Sequence, residues 1–378
     1  MQKVRPTVGY ALNVFPAETL ADLWTCLETE VLQIKQRVFP NEVFPIELRF
    51  SEKIVRDLHC DEVARLKYFL DMHDLALVTV NGFVMPHFHG ERVKERVYLP
   101  AWHESEARLR FTNTCVDLLA QLTPGNWEGE APAEPNRAST TTARREPRPP
   151  DPWPSVSVPF GALKPVTHAA IAPNILRAGE HAATNGCVVA LEPEPGLCVE
   201  TTDEVLEFFR VHVPASLRQH LAVNFDLSHQ LVEFENLRES IVRLQEAGIR
   251  IAKIHVSNAA ELTELKPFYA DSIYLHQVTG CDATGKRTYF SLDWPAQIPA
   301  GIMKYRCHYH LPVFPTNLPS TLREVEEFLT NPPPLHPATP FIIETYTWPE
   351  QLGGRDRLVE NICRELVWVR EKLSLSRV

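Results

Sequence analysis

Short apolar segments alternate with amphipathic helical patterns along most of the chain. In the first helical pattern, Leu20, Leu23, Trp24 and Leu27 fall on one face. Strict alternation of strands and helices predicts a parallel sheet, and eight units favour a closed (β/α)8 TIM barrel over an open doubly wound sheet. The eight predicted strands span 8–14, 45–50, 76–80, 155–160, 187–191, 221–225, 251–256 and 341–345.

Two segments interrupt this alternation. Residues 123–154 are rich in Pro, Ala, Arg, Glu and Thr and hold too few apolar residues to build a core, which predicts a disordered, Pro-rich insertion. A linker between two domains is the alternative. The same strand–helix pattern resumes beyond the segment, which favours a single barrel domain over 1–378. Residues 272–312 form a second, irregular segment, for which we predict a β-rich insertion before the eighth strand.

Charge and cysteine usage narrow the function classes. The net charge of -10 argues against a nucleic-acid partner, since proteins that grip phosphate backbones carry a basic face. The eight cysteines form no C-x-x-C pair and most lie in apolar runs, as expected of buried thiols in a reducing compartment. No signal peptide is apparent, and no apolar stretch approaches the roughly 18 residues of a membrane helix. These features predict a cytoplasmic protein without membrane insertion.

Nucleotide-binding motifs are absent from the sequence. No G-x-G-x-x-G follows any predicted strand, and no G-x-x-x-x-G-K-[ST] occurs. A dinucleotide-binding or P-loop function therefore lacks its main support.

Four consecutive strands each end in a side chain that binds divalent metals. The fifth to eighth strands end in Glu192, Asp226, His255 and Glu344. In TIM barrels the active site lies at the carboxyl ends of the strands, so we expect these four side chains to converge there. Three carboxylates and one imidazole suit Mn²⁺, Mg²⁺, Co²⁺ or Zn²⁺. For any one acidic residue, the alternative is a helix cap or a turn former.

Further polar residues follow the same strand ends and are candidates for substrate binding. Each has an alternative role as a helix cap, a solvent-exposed loop residue or a partly buried surface residue. The candidates are Asn81, His87, His89 and Lys94 after the third strand, Glu194 after the fifth, His229 after the sixth, and His308 and His310 at the end of the β-rich insertion.

An ordered set of motifs resembles the xylose isomerase-like TIM barrel superfamily, which includes sugar isomerases, ketose epimerases and metal-dependent apurinic-site endonucleases. The motifs are LEPEPG, NFDLSH, KIHVS and IIETYTW. Within that superfamily the chain is most similar to the EboE metabolite traffic protein family. That closer likeness lies in NGF, FHG, VKERVYLPAW, LEPEPG, FDLSH, HYHLPVF and ETYTW, and covers nearly the whole chain outside 123–154.

The resemblance implies roles for individual residues. It assigns metal ligation to Glu192, Asp226, His255 and Glu344. In the epimerase branch, the glutamates matching Glu192 and Glu344 also move the substrate proton, and the histidine matching His229 contacts the substrate. The β-rich insertion departs from simple epimerases, so the resemblance does not extend to one particular sugar.

Three functions remain in competition at this point. The first is a metal-dependent isomerase or epimerase acting on a sugar-like or polyhydroxylated small molecule, in which one glutamate removes a proton and the other returns it. The second is a metabolite-binding or carrier protein that retains the barrel without catalysis. A metal-dependent phosphodiesterase or endonuclease ranks third, because it needs a basic groove and the chain carries a net charge of -10.

Overall fold

Eight parallel strands close into a barrel. We describe a computed structural model of the protein over residues 6–123 and 153–375, apart from 86, 265, 267–268, 271, 347 and 349–353. The strand order around the barrel is β1-β12-β7-β6-β5-β4-β3-β2, which confirms the predicted (β/α)8 fold. The barrel strands are β1 (Val8–Ala11), β2 (Phe44–Arg49), β3 (Leu75–Asn81), β4 (Ser155–Pro159), β5 (Val188–Glu192), β6 (Leu221–Asp226), β7 (Ile251–Val256) and β12 (Phe341–Ile343).

Helices pack around the outside of the barrel. Two of them, α3 and α4, follow each other directly between β2 and β3 and are separated by residues 58–59. The helices are α1 (Leu20–Cys26), α2 (Leu32–Val38), α3 (Glu52–Asp57), α4 (Cys60–Met72), α5 (Ala107–Leu122), α6 (His168–Thr184), α7 (Thr202–His212), α8 (Leu227–Val232), α9 (Leu237–Glu246), α10 (Leu322–Thr330) and α11 (Leu358–Leu375).

Capping side chains set where several helices begin. Thr201 and Glu204 form a capping box at the start of α7, in which each side chain bonds the other residue's backbone N–H. Asn236 accepts two backbone N–H bonds at the start of α9. These caps fix the loops that leave β5 and β6, at the same end of the barrel as the predicted site.

A four-stranded antiparallel sheet lies between β7 and α10, which confirms the predicted β-rich insertion. Its order is β10-β9-β11-β8. The sheet starts earlier than predicted, because the three-residue strand β8 precedes residue 272. Its strands are β8 (Ala260–Leu262), β9 (Val278–Cys281), β10 (Arg287–Ser291) and β11 (Lys304–Cys307).

The low-complexity segment predicted at 123–154 lies, for residues 124–152, outside the described residues. Strands on both sides of it pair directly, since β3 and β4 are neighbours in the barrel. In the part of the chain described here, no helix is both long and apolar enough to cross a bilayer. All eight cysteines are described and unpaired.

Candidate metal centre

The carboxyl ends of β5, β6, β7 and β12 bring four side chains together. We call Glu192, Asp226, His255 and Glu344 the four-residue centre. One ligand atom from each lies within 4.8 Å of all the others. Asp226 and His255 are direct neighbours in the β6–β7 register, and the Glu344 backbone N–H bonds the Val256 carbonyl, 3.1 Å away. These backbone pairings bring Asp226, His255 and Glu344 to the same end of the barrel.

His255 Nδ1 is the focus of the centre. It lies 3.2 Å from Glu192 Oε1, 3.3 Å from Glu344 Oε2 and 3.6 Å from Asp226 Oδ2. All four side chains are buried. One imidazole nitrogen thus faces an oxygen from each of three carboxylates.

Asp226 combines the two roles that the sequence left open. Its Oδ1 accepts the backbone N–H of His229, at 2.9 Å, and so caps α8, and it also accepts the Ser257 hydroxyl at 2.7 Å. Its Oδ2 faces His255 and has no hydrogen-bond partner within the described residues. One oxygen is used structurally, and the other points into the centre with its lone pairs unused.

A buried carboxylate behind His255 was missed by sequence reasoning. Glu47, on β2, lies 3.2 Å from His255 Nε2 through Oε1 and pairs with Lys253. Lys253 also donates to the Ser157 hydroxyl, at 3.0 Å. A carboxylate on the far nitrogen fixes the orientation of a metal-binding imidazole and raises its basicity. Glu47 is in position to do this for His255.

Two asparagines position Glu344. Asn13 Nδ2 donates to Glu344 Oε1 at 2.7 Å, and Asn81 Nδ2 lies 3.4 Å from the same oxygen and 3.3 Å from Glu47. The structure thus places the predicted Asn81 at the centre. Asn13, which follows β1, was not predicted.

Burial and the neighbouring charges shift the pKa values of the groups in and behind the centre. Burial opposes protonation of His255, yet the carboxylate of Glu344, together with Glu47 and Glu192, raises the pKa of His255 well above its ordinary value. Burial raises the pKa of Glu344 to about 8, partly offset by the charge on His255. Burial likewise disfavours ionised Glu47, but the charges of Lys253 and His255 outweigh it and lower its pKa to about 2.

A second group, which we call the histidine cluster, consists of His229, His308 and His310. His308 Nε2 lies 3.1 Å from His229 Nε2 and 3.0 Å from His310 Nε2, and all three rings are buried. His229 lies on α8, and His308 and His310 follow β11 in the sequence. The predicted Glu194 lies behind the cluster, with Oε1 3.3 Å from His308 Nδ1 and bonded by the Tyr98 hydroxyl at 2.5 Å.

The loop after β3 places its other predicted residues beside different partners. His87, partly exposed, lies 3.6 Å from Glu18, and Lys94 pairs with Asp293 of the insertion at 2.6 Å. His89 Nε2 lies 2.7 Å from the carbonyl oxygen of Asn13. His89 thus contacts the residue that holds Glu344, whereas His87 and Lys94 contact groups outside both clusters.

The four-residue centre fits a divalent cation. Its donors are carboxylate oxygens and one imidazole nitrogen, the set used for Mg²⁺, Mn²⁺, Co²⁺ and Zn²⁺. Asp226 Oδ2 offers unused lone pairs, and Glu47 supplies the outer carboxylate that metal-binding histidines commonly have.

Solved structures share this fold. No protein-family model matches the chain, and no curated protein matches it in sequence. A xylose isomerase-like TIM barrel protein from Mycobacterium smegmatis, in complex with magnesium, is 13% identical with a TM-score of 0.53, and the match covers 99% of this chain and 98% of that one. A xylose isomerase domain protein from Planctomyces limnophilus is 12% identical with a TM-score of 0.52, covering 98% and 99%. The chain therefore has the fold of the xylose isomerase-like TIM barrels.

Proposed function

We propose that the chain is a metal-dependent isomerase or epimerase acting on a sugar-like or polyhydroxylated small metabolite. The observation that carries the proposal is the placement of Glu192 and Glu344. Each has an oxygen within 3.3 Å of His255 Nδ1, and they come from strands that are three positions apart around the barrel. Two carboxylates at one centre suit a reaction in which one removes a carbon-bound proton and the other returns it.

Glu192, Asp226, His255 and Glu344 would hold the ion. A divalent cation bound there would stabilise the negative charge that develops on substrate oxygen as the neighbouring C–H bond breaks. Magnesium in the Mycobacterium smegmatis protein supports a divalent ion here, and the donor set also accepts Mn²⁺, Co²⁺ and Zn²⁺.

Neighbouring residues of the chain position Glu344, and aromatic rings pack beside the site. Asn13 and Asn81 donate to one oxygen of Glu344, which leaves the other oxygen directed at the centre. The Tyr346 ring lies 4.7 Å from that of His310 and 5.7 Å from that of Phe88. Aromatic rings beside a few fixed polar groups are typical of small-molecule sites, and such rings would exclude water from the reacting carbon.

The finer assignment is to the EboE metabolite traffic family, in a cytoplasmic pathway that makes or moves a small metabolite. The ordered motifs support it, and the eight unpaired cysteines support a reducing compartment. We propose a small-molecule substrate and no nucleic-acid partner, because the chain carries a net charge of -10.

Exchange of substrate hydrogen with deuterated water tests the proposal. Protein loaded with Mn²⁺ is incubated with a panel of ketoses, aldoses and cyclitols, and deuterium at carbon is followed by NMR and mass spectrometry. We expect exchange into at least one compound. Glu192→Gln and Glu344→Gln should each lower the exchange rate strongly, because each variant removes one of the two bases and one carboxylate ligand of the ion.

His220→Ala is the matched control, since His220 precedes β6 at the opposite end of the barrel. It should retain exchange. Binding of a panel member without exchange, and with affinity unchanged by Glu344→Gln, would contradict the proposal and favour a carrier.

A further inference from the structure

Two buried oxygen atoms beside the centre, Asn13 Oδ1 and Glu194 Oε2, accept no hydrogen bond from the described residues. Asn13 Nδ2 donates to Glu344 Oε1 at 2.7 Å, which directs Asn13 Oδ1 away from that carboxylate. Glu194 Oε1 already accepts from the Tyr98 hydroxyl at 2.5 Å and from Gln277 Nε2 at 3.1 Å. Because a buried acceptor without a donor is costly, each of the two oxygens is suited to a hydroxyl group of a ligand.

A continuous row of buried side chains connects these two acceptors. Glu344 Oε2 lies 3.5 Å from His310 Nδ1, and His310 Nε2 lies 3.0 Å from His308 Nε2. His308 Nδ1 lies 3.3 Å from Glu194 Oε1. Asn13 stands at the Glu344 end of this row and Glu194 at the other end, so a molecule lying along the row would meet both acceptors.

The buried Lys and Arg side chains around this row are engaged by other groups. Among the described residues, four of them lie in the barrel strands, the loop after β3 and the insertion, and each contacts a carboxylate. The pairs are Arg49 with Glu18, Lys94 with Asp293, Lys253 with Glu47, and Arg306 with Glu261 and Glu324. A fifth, Arg108 of α5, donates to three backbone carbonyl oxygens. Burial lowers the pKa of Arg108 to about 10, and no carboxylate of the described residues offsets this effect, which sets Arg108 apart from the centre.

The remaining Lys and Arg side chains of the loop after β3 and the insertion are paired or exposed. Arg287 and Lys304 contact glutamates, and Arg92, Arg96, Lys266 and Lys286 are exposed. The positions of these two segments that lie outside the described residues, 86, 265, 267–268 and 271, hold Pro, Leu, Pro, Phe and Asp. An anion at the centre would therefore have to displace a carboxylate from its basic partner.

Negative charge dominates the space around the centre. A divalent ion carries two positive charges, whereas Glu192, Asp226 and Glu344 supply three carboxyl groups and Glu194 supplies a fourth. The N-terminus of α8 is already capped by Asp226. Phosphate and carboxylate groups are normally bound by Arg, Lys or free backbone N–H groups at a helix N-terminus. A site without these donors, and with carboxylates on several sides, disfavours an anionic ligand.

Three aromatic rings border the same row. The Phe88 ring lies 5.1 Å from that of Tyr274, and the Tyr346 ring lies 5.7 Å from each of them and 4.7 Å from the ring of His310. The face of an aromatic ring carries negative potential, so it favours C–H groups over anions. These rings therefore suit the carbon skeleton of a polyol.

We propose that the substrate of the four-residue centre is an uncharged polyol, neither phosphorylated nor carboxylated, and that Asn13 and Glu194 determine this specificity by accepting its hydroxyl hydrogens. The inference rests on the proposed function, because it names the class of molecule on which that reaction acts. Hydroxyl groups can donate to the two acceptors. The oxygen atoms of an ionised phosphate or carboxylate only accept hydrogen bonds and would face Asn13 Oδ1 and Glu194 Oε2 without a donor.

Matched pairs of neutral and anionic compounds test the inference in the full-length protein. Each ketose, aldose and cyclitol is compared with its monophosphate, and each aldose also with its aldonate. Binding to Mn²⁺-loaded protein is followed by the broadening that the bound ion causes in the NMR signals of the compound, and exchange with deuterated water is measured in parallel. We expect the neutral member of at least one pair to bind about 100-fold more tightly than its anionic counterpart, the usual effect of placing like charges together.

Glu194→Gln removes the negative charge and keeps an oxygen that can accept from Tyr98 and Gln277. It should reduce the preference for the neutral compound about 10-fold, because its amide nitrogen can donate to an anionic group. Asn13→Ala should weaken binding of the neutral compound by up to about 10-fold through the loss of one acceptor, with bound Mn²⁺ measured in the same samples. Glu95→Gln, which removes one charge from an exposed side chain of the loop after β3, is the matched control and should keep the wild-type preference.

Tighter binding of the anionic members by wild-type protein would overturn the inference, whether or not exchange occurs. An equal loss of affinity for both members of a pair in Glu194→Gln would show that Glu194 only supports Tyr98 and Gln277, and would overturn its role in specificity. A preference for neutral compounds without any exchange would contradict the proposed reaction alone. Binding of no member of any pair would contradict both proposals.

Discussion

At the scale of single residues, each charged group inside the barrel has a separate structural role. Asp226 caps α8 with one oxygen and offers the other to the centre, while Glu47 supports His255 from behind. Lys253 compensates the buried charge of Glu47. An ion pair without solvent access is stabilising only when it is well paired and hydrogen-bonded, which the Lys253 contact to Ser157 provides.

Glu47→Gln should weaken metal binding at the four-residue centre by about 10- to 100-fold, the usual effect of losing an outer-shell partner. The amide carries no negative charge to support the His255 ring. Titration calorimetry with Mn²⁺ measures the change.

The double variant Glu47→Gln/Lys253→Met removes the unpaired lysine that the single variant creates, and it should show the same weakening. Glu365→Gln, which changes a buried glutamate of α11, is the control. Wild-type affinity in the Glu47 variants would show that Glu47 only neutralises Lys253.

At the scale of elements, Glu365 ties α11 to the barrel and the insertion. It accepts the Tyr10 hydroxyl at 2.6 Å, the Thr345 hydroxyl at 2.8 Å and the Val313 backbone N–H at 2.9 Å. Burial raises its pKa to about 7, although these three donors favour the ionised form. The closing helix is therefore held by a carboxyl group that ionises near neutral pH.

The free energy of unfolding should fall with rising pH because of Glu365. Its pKa is about 7 in the folded protein against an ordinary value of 4.5, so the folded state binds more protons between these pH values. The stabilisation is complete below about pH 4.5 and lost above about pH 7, and it amounts to about 3 kcal/mol. Glu365→Gln does not titrate; its amide oxygen can accept the Thr345 and Val313 donors, and its amide nitrogen can donate to the Tyr10 hydroxyl.

Urea unfolding at pH 5 and pH 8 measures this effect. Glu365→Gln should gain stability relative to wild type between pH 5 and pH 8, by on the order of 2–3 kcal/mol. Glu95→Gln, on an exposed side chain, should follow wild type. A parallel pH dependence in all three proteins would show that Glu365 ionises normally.

At the scale of the whole molecule, a buried group of like charges needs a proton or a cation to compensate it. The four-residue centre gathers three carboxylates with Glu47 directly behind them. Such an arrangement is costly unless a proton or an ion compensates it. Binding to the folded state alone then raises its stability.

Saturating Mn²⁺ should therefore raise the unfolding temperature, with a free-energy gain of about 2.7 kcal/mol at 100 times the Kd. EDTA should reverse the shift. Differential scanning calorimetry measures it, and His255→Ala should show little of it. An equal shift in His255→Ala would mean that Mn²⁺ stabilises the fold somewhere else.

The barrel and the four-residue centre could be predicted from the sequence, because they depend on hydrophobic periodicity and on the residues at strand ends. Eight apolar runs gave the barrel, and the last residue of four runs gave the four-residue centre as a set. Glu47 and Lys253 escaped notice because they lie inside apolar runs, where a side chain's direction depends on the barrel register. The presence of two opposite charges within buried strands is the signal that could have identified this pair.

Contacts between segments that are far apart in the sequence could not be predicted. His308 and His310 share a spacing that suggested one strand face, but their meeting with His229 depends on how the insertion folds back over α8. The early strand β8 was missed because it is only three residues long.

Equilibrium dialysis of metal-free protein against Mn²⁺ measures whether Glu192, Asp226, His255 and Glu344 bind one divalent ion. We expect about one tightly bound Mn²⁺ per chain. Asp226→Asn and His255→Ala should lose it, because one removes a negative charge and the other the only nitrogen donor of the centre, while His220→Ala should retain it. Folded wild-type protein that takes up no Mn²⁺, or the same uptake in all variants, would show that these four residues do not bind the ion.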